Sequence, residues 1–344
     1  MFQWLIIGAG PAGILSVGKL IDQGVAAEEI AWVDPFFQVG DLGRLWSQVP
    51  SNTLVRLFTQ FLRSCQAFEY ELCTKKHEIH RAEPQLTCPL RLIVEPLQWI
   101  SDHLRRRVHA FLGRVDHLVF KQRGWQVFSA GNQLLAKNIV LAIGSDPKVL
   151  HFEGLETVPL QDAIVRRRLS SLCCSQDVFA VFGSSHSAVL VLKNLVELGI
   201  KRIINFYQSP MRYAIPMEGW TLFDNTGLKG QAAEWARAQI DGECPDNLLR
   251  LPVSTPSIHQ YLSECHKVVY AIGFSRRSLP VIHGMETIHY DEQTGIIAPG
   301  LFGIGIAFPE LVTNPVGIKE YAVGLSKFTD YIDRVMPVWL KYGA

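Results

Sequence analysis

Residues 2–7 are apolar at almost every position, and in the stretch 12–24 that follows, Ile14, Leu15, Val17, Leu20 and Ile21 recur on one side of a 3.6-residue period. The pair predicts a buried strand leading into an amphipathic helix. A second short apolar run, 30–33, closes on Asp34. Between 36 and 95 proline and polar residues break any sustained period, which predicts irregular chain with one helix near 54–63, a suitable wall for a substrate or cofactor. Helical spacing returns over 96–112, where Leu97, Ile100, Leu104, Val108 and Phe111 share a side and Pro96 stands near the start. The runs 115–120, 124–129 and 138–143 read as strands, the last meeting Gly144.

The second half repeats this order. An apolar run from 178 meets Gly183, a helix pattern covers 187–199, a strand follows at 202–207, and a later apolar strand, 267–272, again ends on glycine, Gly273. The last 30 residues predict a helix from about 316, with Ile318, Tyr321, Ala322, Leu325, Phe328 and Ile332 on one side.

Each half carries a glycine turn between strand and helix. In the first, Gly8-Ala9-Gly10-Pro11-Ala12-Gly13 places a glycine at the tight turn, one with no side chain to block a pyrophosphate, and one where helix and strand must approach closely. The helix dipole and free N–H groups would then meet the phosphates. Asp34 follows 21 residues after Gly13, at the end of the next strand, where a carboxylate accepts hydrogen bonds from a ribose 2′-OH, as in FAD or NAD. In the second half the corresponding turn is Gly183-Ser184-Ser185-His186-Ser187-Ala188, with Ser185 in place of the middle glycine. No acid closes its next strand; Arg212, and less directly Arg202, stand nearby, which favours the 2′-phosphate of NADPH over NADH. His186 sits beside the phosphate position as a potential donor. The expected architecture is α/β, with two Rossmann-like dinucleotide-binding domains and mainly parallel sheets, one formed by 1–150 with 275–344 and the other by 151–274.

Composition agrees with a folded chain of this size. The 344 residues, at roughly 100–200 per domain, suit two domains, and 33 Lys and Arg against 32 Asp and Glu leave no basic footprint for nucleic acid. No run approaches the roughly 18 apolar residues of a membrane helix, and no secretory leader is apparent, so the cytoplasm is the expected compartment. The seven cysteines are irregularly spaced, without a Cys-x-x-Cys pair or a zinc pattern, and Cys173-Cys174 are adjacent. His77 and His80 lack an acid–histidine companion set, so no metal is expected. The arginine runs 105–107 and 166–168 read as solvated faces.

Together the two glycine turns, the Ala142-Ile143-Gly144 and Ala271-Ile272-Gly273 strand ends and the order of elements resemble the two-dinucleotide-domain flavoproteins. This superfamily includes thioredoxin reductases, related ferredoxin reductases and flavin-containing monooxygenases. The resemblance implies FAD on the first unit, NAD(P)H on the second, and hydride transfer between them. Gly43-Arg44-Leu45-Trp46 and Tyr207-Gln208-Ser209-Pro210 are similar to monooxygenase segments, which implies that Trp46 walls the flavin and that Asn52 contributes an amide beside it. Gly305 falls in the C-terminal flavin segment, and Gly317-Ile318 looks like the family's helix start at the flavin pyrimidine. The chain departs from the family at Val158, where the monooxygenase fingerprint has His, and in lacking the C-terminal Asp. Three readings stay open: oxygen insertion into a small nucleophilic substrate, electron delivery to an acceptor, and flavin binding without turnover. Oligomeric state is not expressed in the sequence.

Overall fold

The computed structural model describes residues 1–121, 124–285 and 287–343. The chain divides into two compact units, the first comprising 1–47, 54–145 and 276–344, the second 48–53 and 146–275.

In the first unit, strand β1 (Phe2–Ile7) runs into helix α1 (Pro11–Asp22) and returns as β2 (Ile30–Asp34). Among the described residues the unit's main sheet has nine strands, and five of them run parallel side by side in the order His109–Leu112, β2, β1, Asn132–Leu141, Leu301–Gly303. Register pairs Ile6 with Trp32 and Val140. The strand Asn132–Leu141 is shared: its first half pairs antiparallel with Gly124–Ser129, its second half parallel with β1. Burial on both faces explains the apolar run Trp4–Ile7 of β1: Trp4 and Ile6 join a core with α1 and the C-terminal helix, while Leu5 and Ile7 join a second core on the opposite face.

Two helix boundaries differ from expectation. The pattern over 96–112 is a helix at Arg91–Arg105 with Pro96 inside it, followed by the strand His109–Leu112. Leu92 and Ile93 extend the apolar stripe upstream of the proline, and Phe111 leaves the helix to pair with Val33. The C-terminal helix begins at Leu325 and runs to Tyr342, rather than starting near 316. Before it, Glu310–Thr313 and Lys319–Ala322 form an antiparallel hairpin. Asn314 Oδ1 accepts the N–H groups of Val316 and Ile318, Gly317 takes φ +84°, and burial then alternates from Lys319 to Ala322 with the two-residue period of a strand.

The second unit holds a five-stranded, wholly parallel sheet in the order Glu156–Thr157, Lys267–Tyr270, Val178–Phe182, Arg202–Tyr207, Leu248–Pro252. The helix His186–Glu197 follows the strand Val178–Phe182 directly across the second glycine turn. Among the described residues no helix is long and apolar enough to cross a membrane.

Candidate functional site

The turn after β1 is built by three glycines with different jobs. Gly8 has φ +110°, and a Cβ on it would stand 2.3 Å from the Ala142 carbonyl oxygen; one on Gly13 would stand 1.9 Å from the Gly8 carbonyl oxygen. Those two glycines serve the protein's own packing. Gly10 does not: its φ is −75°, which any residue adopts, and its nearest neighbour to an added Cβ would be Gly40 Cα at 3.9 Å. The bare backbone at Gly10 keeps space for something outside the fold. Helix α1 begins there with Pro11 in its first turn and no side-chain cap, which leaves early N–H groups for an anion.

Asp34 does more, and does it differently, than the spacing suggested. Its Oδ2 accepts the Ala9 N–H at 2.7 Å, and its Oδ1 accepts the N–H groups of Phe36 and Phe37 at 2.8 and 2.7 Å. The carboxylate therefore ties the glycine turn to the end of β2. An ionised carboxylate offers about four lone-pair sites, so three amides leave one for a ribose hydroxyl.

Beside this turn lies a cavity of about 300 Å³, entirely within the first unit, at the C-terminal ends of the parallel strands. Gly8, Asp34 and Ile143 line it together with Arg44, Arg114 and Arg277. Arg277 donates to Asp41 Oδ2 at 2.6 Å and to the Ile143 carbonyl oxygen at 3.4 Å, while the Arg44 guanidinium lies 3.7 Å from the Phe36 ring centroid. These three cations come from segments far apart in the chain; Arg44 lies in the Gly43–Trp46 segment, where Trp46 rather than the arginine was the expected site residue, and Arg114 and Arg277 carry no motif. A cavity lined by the first glycine of the turn, by carboxylates and by cations could hold the adenosine-diphosphate part of a dinucleotide.

Other predicted positions fall around this frame. Ala9 and Ala12 are buried in the turn, Gly144 takes φ +77° just past the shared strand, and a Cβ on Gly305 would stand 2.7 Å from Ala12 Cβ, so that loop packs on the start of α1. Trp46 is half-buried after the short helix Gly40–Arg44 and does not line the cavity. Asn52 is exposed and lies in the segment 48–53 of the second unit. Gly317 and Ile318 sit in the hairpin turn, so the helix N-terminus that would have brought them to a flavin is absent from that position.

The second unit reproduces the first at atomic detail. A Cβ on Gly183 would stand 2.3 Å from the Ala271 carbonyl oxygen, the same clash that Gly8 avoids with Ala142. In the first unit Trp32 Nε1 donates to the Gly8 carbonyl at 2.9 Å; in the second, Asn205 Nδ2 donates to the Gly183 carbonyl at 2.8 Å. Trp32 pairs in register with Ile6, and Asn205 with Val181, so the two donors are equivalent. Two residues beyond them stand Asp34 and Tyr207, which places Tyr207 where the ribose acid would be.

Ser184 Oγ donates to the Ser209 carbonyl at 2.8 Å, Ser185 is the exposed N-cap of the helix without a side-chain cap bond, and Ala188 is buried where the first unit has Gly13. Ser187 lies in the first turn of the same helix. His186 approaches the Pro50 carbonyl through Nε2 at 3.4 Å and leaves Nδ1 buried without a partner. Burial pushes this imidazole below its usual range, the Pro50 contact opposing and Lys229 reinforcing. The ring is then neutral at neutral pH. Arg212 is exposed, with its guanidinium 5.1 Å from the Phe223 ring centroid. A better-held cation was missed: Arg250 Nε donates to Asn205 Oδ1 at 2.9 Å and its guanidinium lies 4.8 Å from the Tyr207 ring centroid. All seven cysteines are free, and among the described residues no group of His, Cys, Asp and Glu is placed to hold a metal ion.

No family model matches the chain. Solved structures of the same fold include the ornithine N-hydroxylase of Kutzneria sp. 744, with a TM-score of 0.66 and 13% identity over 99% of each chain. The bacillithiol disulfide reductase of Staphylococcus aureus has a TM-score of 0.65 and 10% identity over 99% of this chain and 98% of that one. With a glycine turn feeding a parallel run of strands in each unit, the molecule has the fold of the two-dinucleotide-domain oxidoreductases. Within that class, monooxygenase AgnR1 of Paecilomyces divaricatus is 33% identical over 391 aligned positions, spanning 98% of this chain and 97% of its own. The chain belongs to that monooxygenase family.

Proposed function

We propose that the first unit binds FAD through the cavity at Gly8, Asp34 and Arg277, that the second binds NADPH, and that the protein oxygenates a small nucleophilic substrate. When bound, FAD would supply the oxygen-activating redox chemistry and NADPH the electrons for it. The protein's part is positional and electrostatic. Asp34 holds the glycine turn in shape and offers its remaining lone pair to a ribose hydroxyl. The start of α1 presents amides to the pyrophosphate, and the guanidinium groups of Arg44, Arg114 and Arg277, matched in number by the carboxylates of Asp34, Asp41 and Asp116, offer further hydrogen-bond donors. In the second unit Arg250, held by Asn205 and Tyr207 at the ribose-acid position, is the candidate for a 2′-phosphate, ahead of Arg212.

The observation that carries this reading is Gly10, a bare position that the protein's packing does not require, at the uncapped start of α1 and next to Gly40, which lines the cavity. Titrating FAD into apoprotein tests it, with binding followed by quenching of flavin fluorescence. The wild type is expected to bind, and Gly10→Ala to bind at least about ten-fold more weakly at unchanged fold stability.

One residue favours electron delivery without oxygen insertion. Val158, where a monooxygenase fingerprint would have His, is 2% exposed and offers no polar group. An assay with labelled dioxygen separates the two, because oxygenation puts label in the product and acceptor reduction does not. A substrate search among amines and sulfides follows from the nucleophile requirement.

A further inference from the structure

The first unit also carries a cluster of reactive side chains that the cofactor reading leaves unused. Cys73 Sγ stands 3.5 Å from His77 Nε2, and on the other side of that ring Nδ1 stands 3.9 Å from Glu95 Oε2. His77 is 3% exposed, Cys73 is half-exposed, and none of the three lines the cavity of the candidate site. Tyr70 stacks on the imidazole at 6.1 Å between ring centroids, and its hydroxyl meets His80 Nε2 at 2.9 Å, which holds the short turns Tyr70–Leu72 and Glu78–Arg81 around the ring.

This order of groups, thiol, imidazole, carboxylate, is the order needed to activate a nucleophile. A carboxylate facing Nδ1 favours the proton on that nitrogen, which leaves the Nε2 lone pair directed at the thiol. Burial, reinforced by Lys75 and His80 and opposed by Glu95, holds the ring below its usual pKa range, so it is a free base at neutral pH. Lys75 Nζ lies 3.7 Å from Glu95 Oε2, and the Lys75 carbonyl, 3.7 Å from Sγ, is a second acceptor for the thiol proton. Nδ1 makes no hydrogen bond in the resting arrangement, so the ring is fixed by its packing and is available to take a proton from Cys73.

We propose that Cys73 is a site of covalent oxidation by hydroperoxides, with His77 as its base and Glu95 as the charge that keeps the ring proton on Nδ1. The thiol proton passes to His77 Nε2, and the sulfur attacks the near oxygen of hydrogen peroxide. The O–O bond breaks, and the departing hydroxide recovers the proton from His77 as water. Cys73 is left as a sulfenic acid, two electrons having moved from sulfur to peroxide.

Access alone would rank the cysteines differently, because Cys174 and Cys244 are the exposed ones. They are therefore internal controls. The full-length protein is treated with hydrogen peroxide at neutral pH in the presence of dimedone, and labelling is followed at each cysteine by peptide mass spectrometry. Cys73 is expected to label at least about ten-fold faster than Cys174 and Cys244. His77→Gln and Glu95→Gln, with folding checked by circular dichroism, should bring it down towards the rate of those two. Should His77→Gln fail to fold, the wild-type ranking and Glu95→Gln still decide. Equal rates at the three cysteines in the wild type, or a fast Cys73 indifferent to substitution of its neighbours, would overturn the proposal.

Discussion

Asp34 accepts three backbone N–H groups, so replacing it acts on the fold before it acts on any ligand. Asp34→Ala strands those donors and is expected to lower the unfolding free energy by about 2–4 kcal/mol in urea melts of apoprotein, with Asp34→Asn losing about half as much. The position of this carboxylate was readable from its spacing to Gly13; its partners were not. They depend on a turn in which Phe37 takes φ +52°, a conformation that no local pattern announces. Arg250 was hidden for a related reason, since only the pairing of Asn205 with Arg250 across neighbouring strands brings it to Tyr207. Arg250→Gln should raise the KM for NADPH by about ten- to a hundred-fold with little effect on NADH, whereas Arg212→Gln should do less; steady-state kinetics with both nucleotides checks this. His186 gives a pH signature. Its folded pKa lies below the unfolded value, so no penalty exists above about pH 6.5, and stability falls as acid protonates the unfolded chain in preference to the folded one. Denaturant melts of His186→Gln between pH 7 and pH 5 should lose less stability than the wild type.

At the scale of elements, the glycine turns separate packing from binding. Gly13→Ala would push a Cβ into the Gly8 carbonyl, so it should destabilise apoprotein by about 3 kcal/mol or more, while Gly10→Ala should change stability by less than about 1 kcal/mol. Thermal unfolding without cofactor distinguishes them. The strands and first helices of both halves were legible because their apolar runs are bounded by glycine on one side and a short polar link on the other. The boundaries that moved lie where one pattern hands over to another. Pro96 read as a helix start although Leu92 and Ile93 already belong to the buried stripe. Near the C-terminus, Ile318 and Tyr321 have helical spacing by coincidence, and the Asn314 side chain with Gly317 closes a hairpin instead.

The whole molecule is two copies of one idea. Gly8 and Gly183 avoid equivalent carbonyls, those of Ala142 and Ala271, at the same 2.3 Å, and Trp32 and Asn205 hold equivalent glycine carbonyls with unrelated side chains. That repetition was visible in the sequence as an order of elements, while the conserved contact was not, because tryptophan and asparagine share only an N–H donor. The two halves then differ where their ligands would differ: Asp34 in one, Tyr207 with Arg250 in the other. The most direct test of the account is the visible absorbance of protein loaded with FAD and then mixed anaerobically with NADPH. The account predicts a bound flavin band that bleaches within seconds, faster than with NADH. Protein that takes up no FAD, or a bound flavin that neither nicotinamide can bleach, would contradict it.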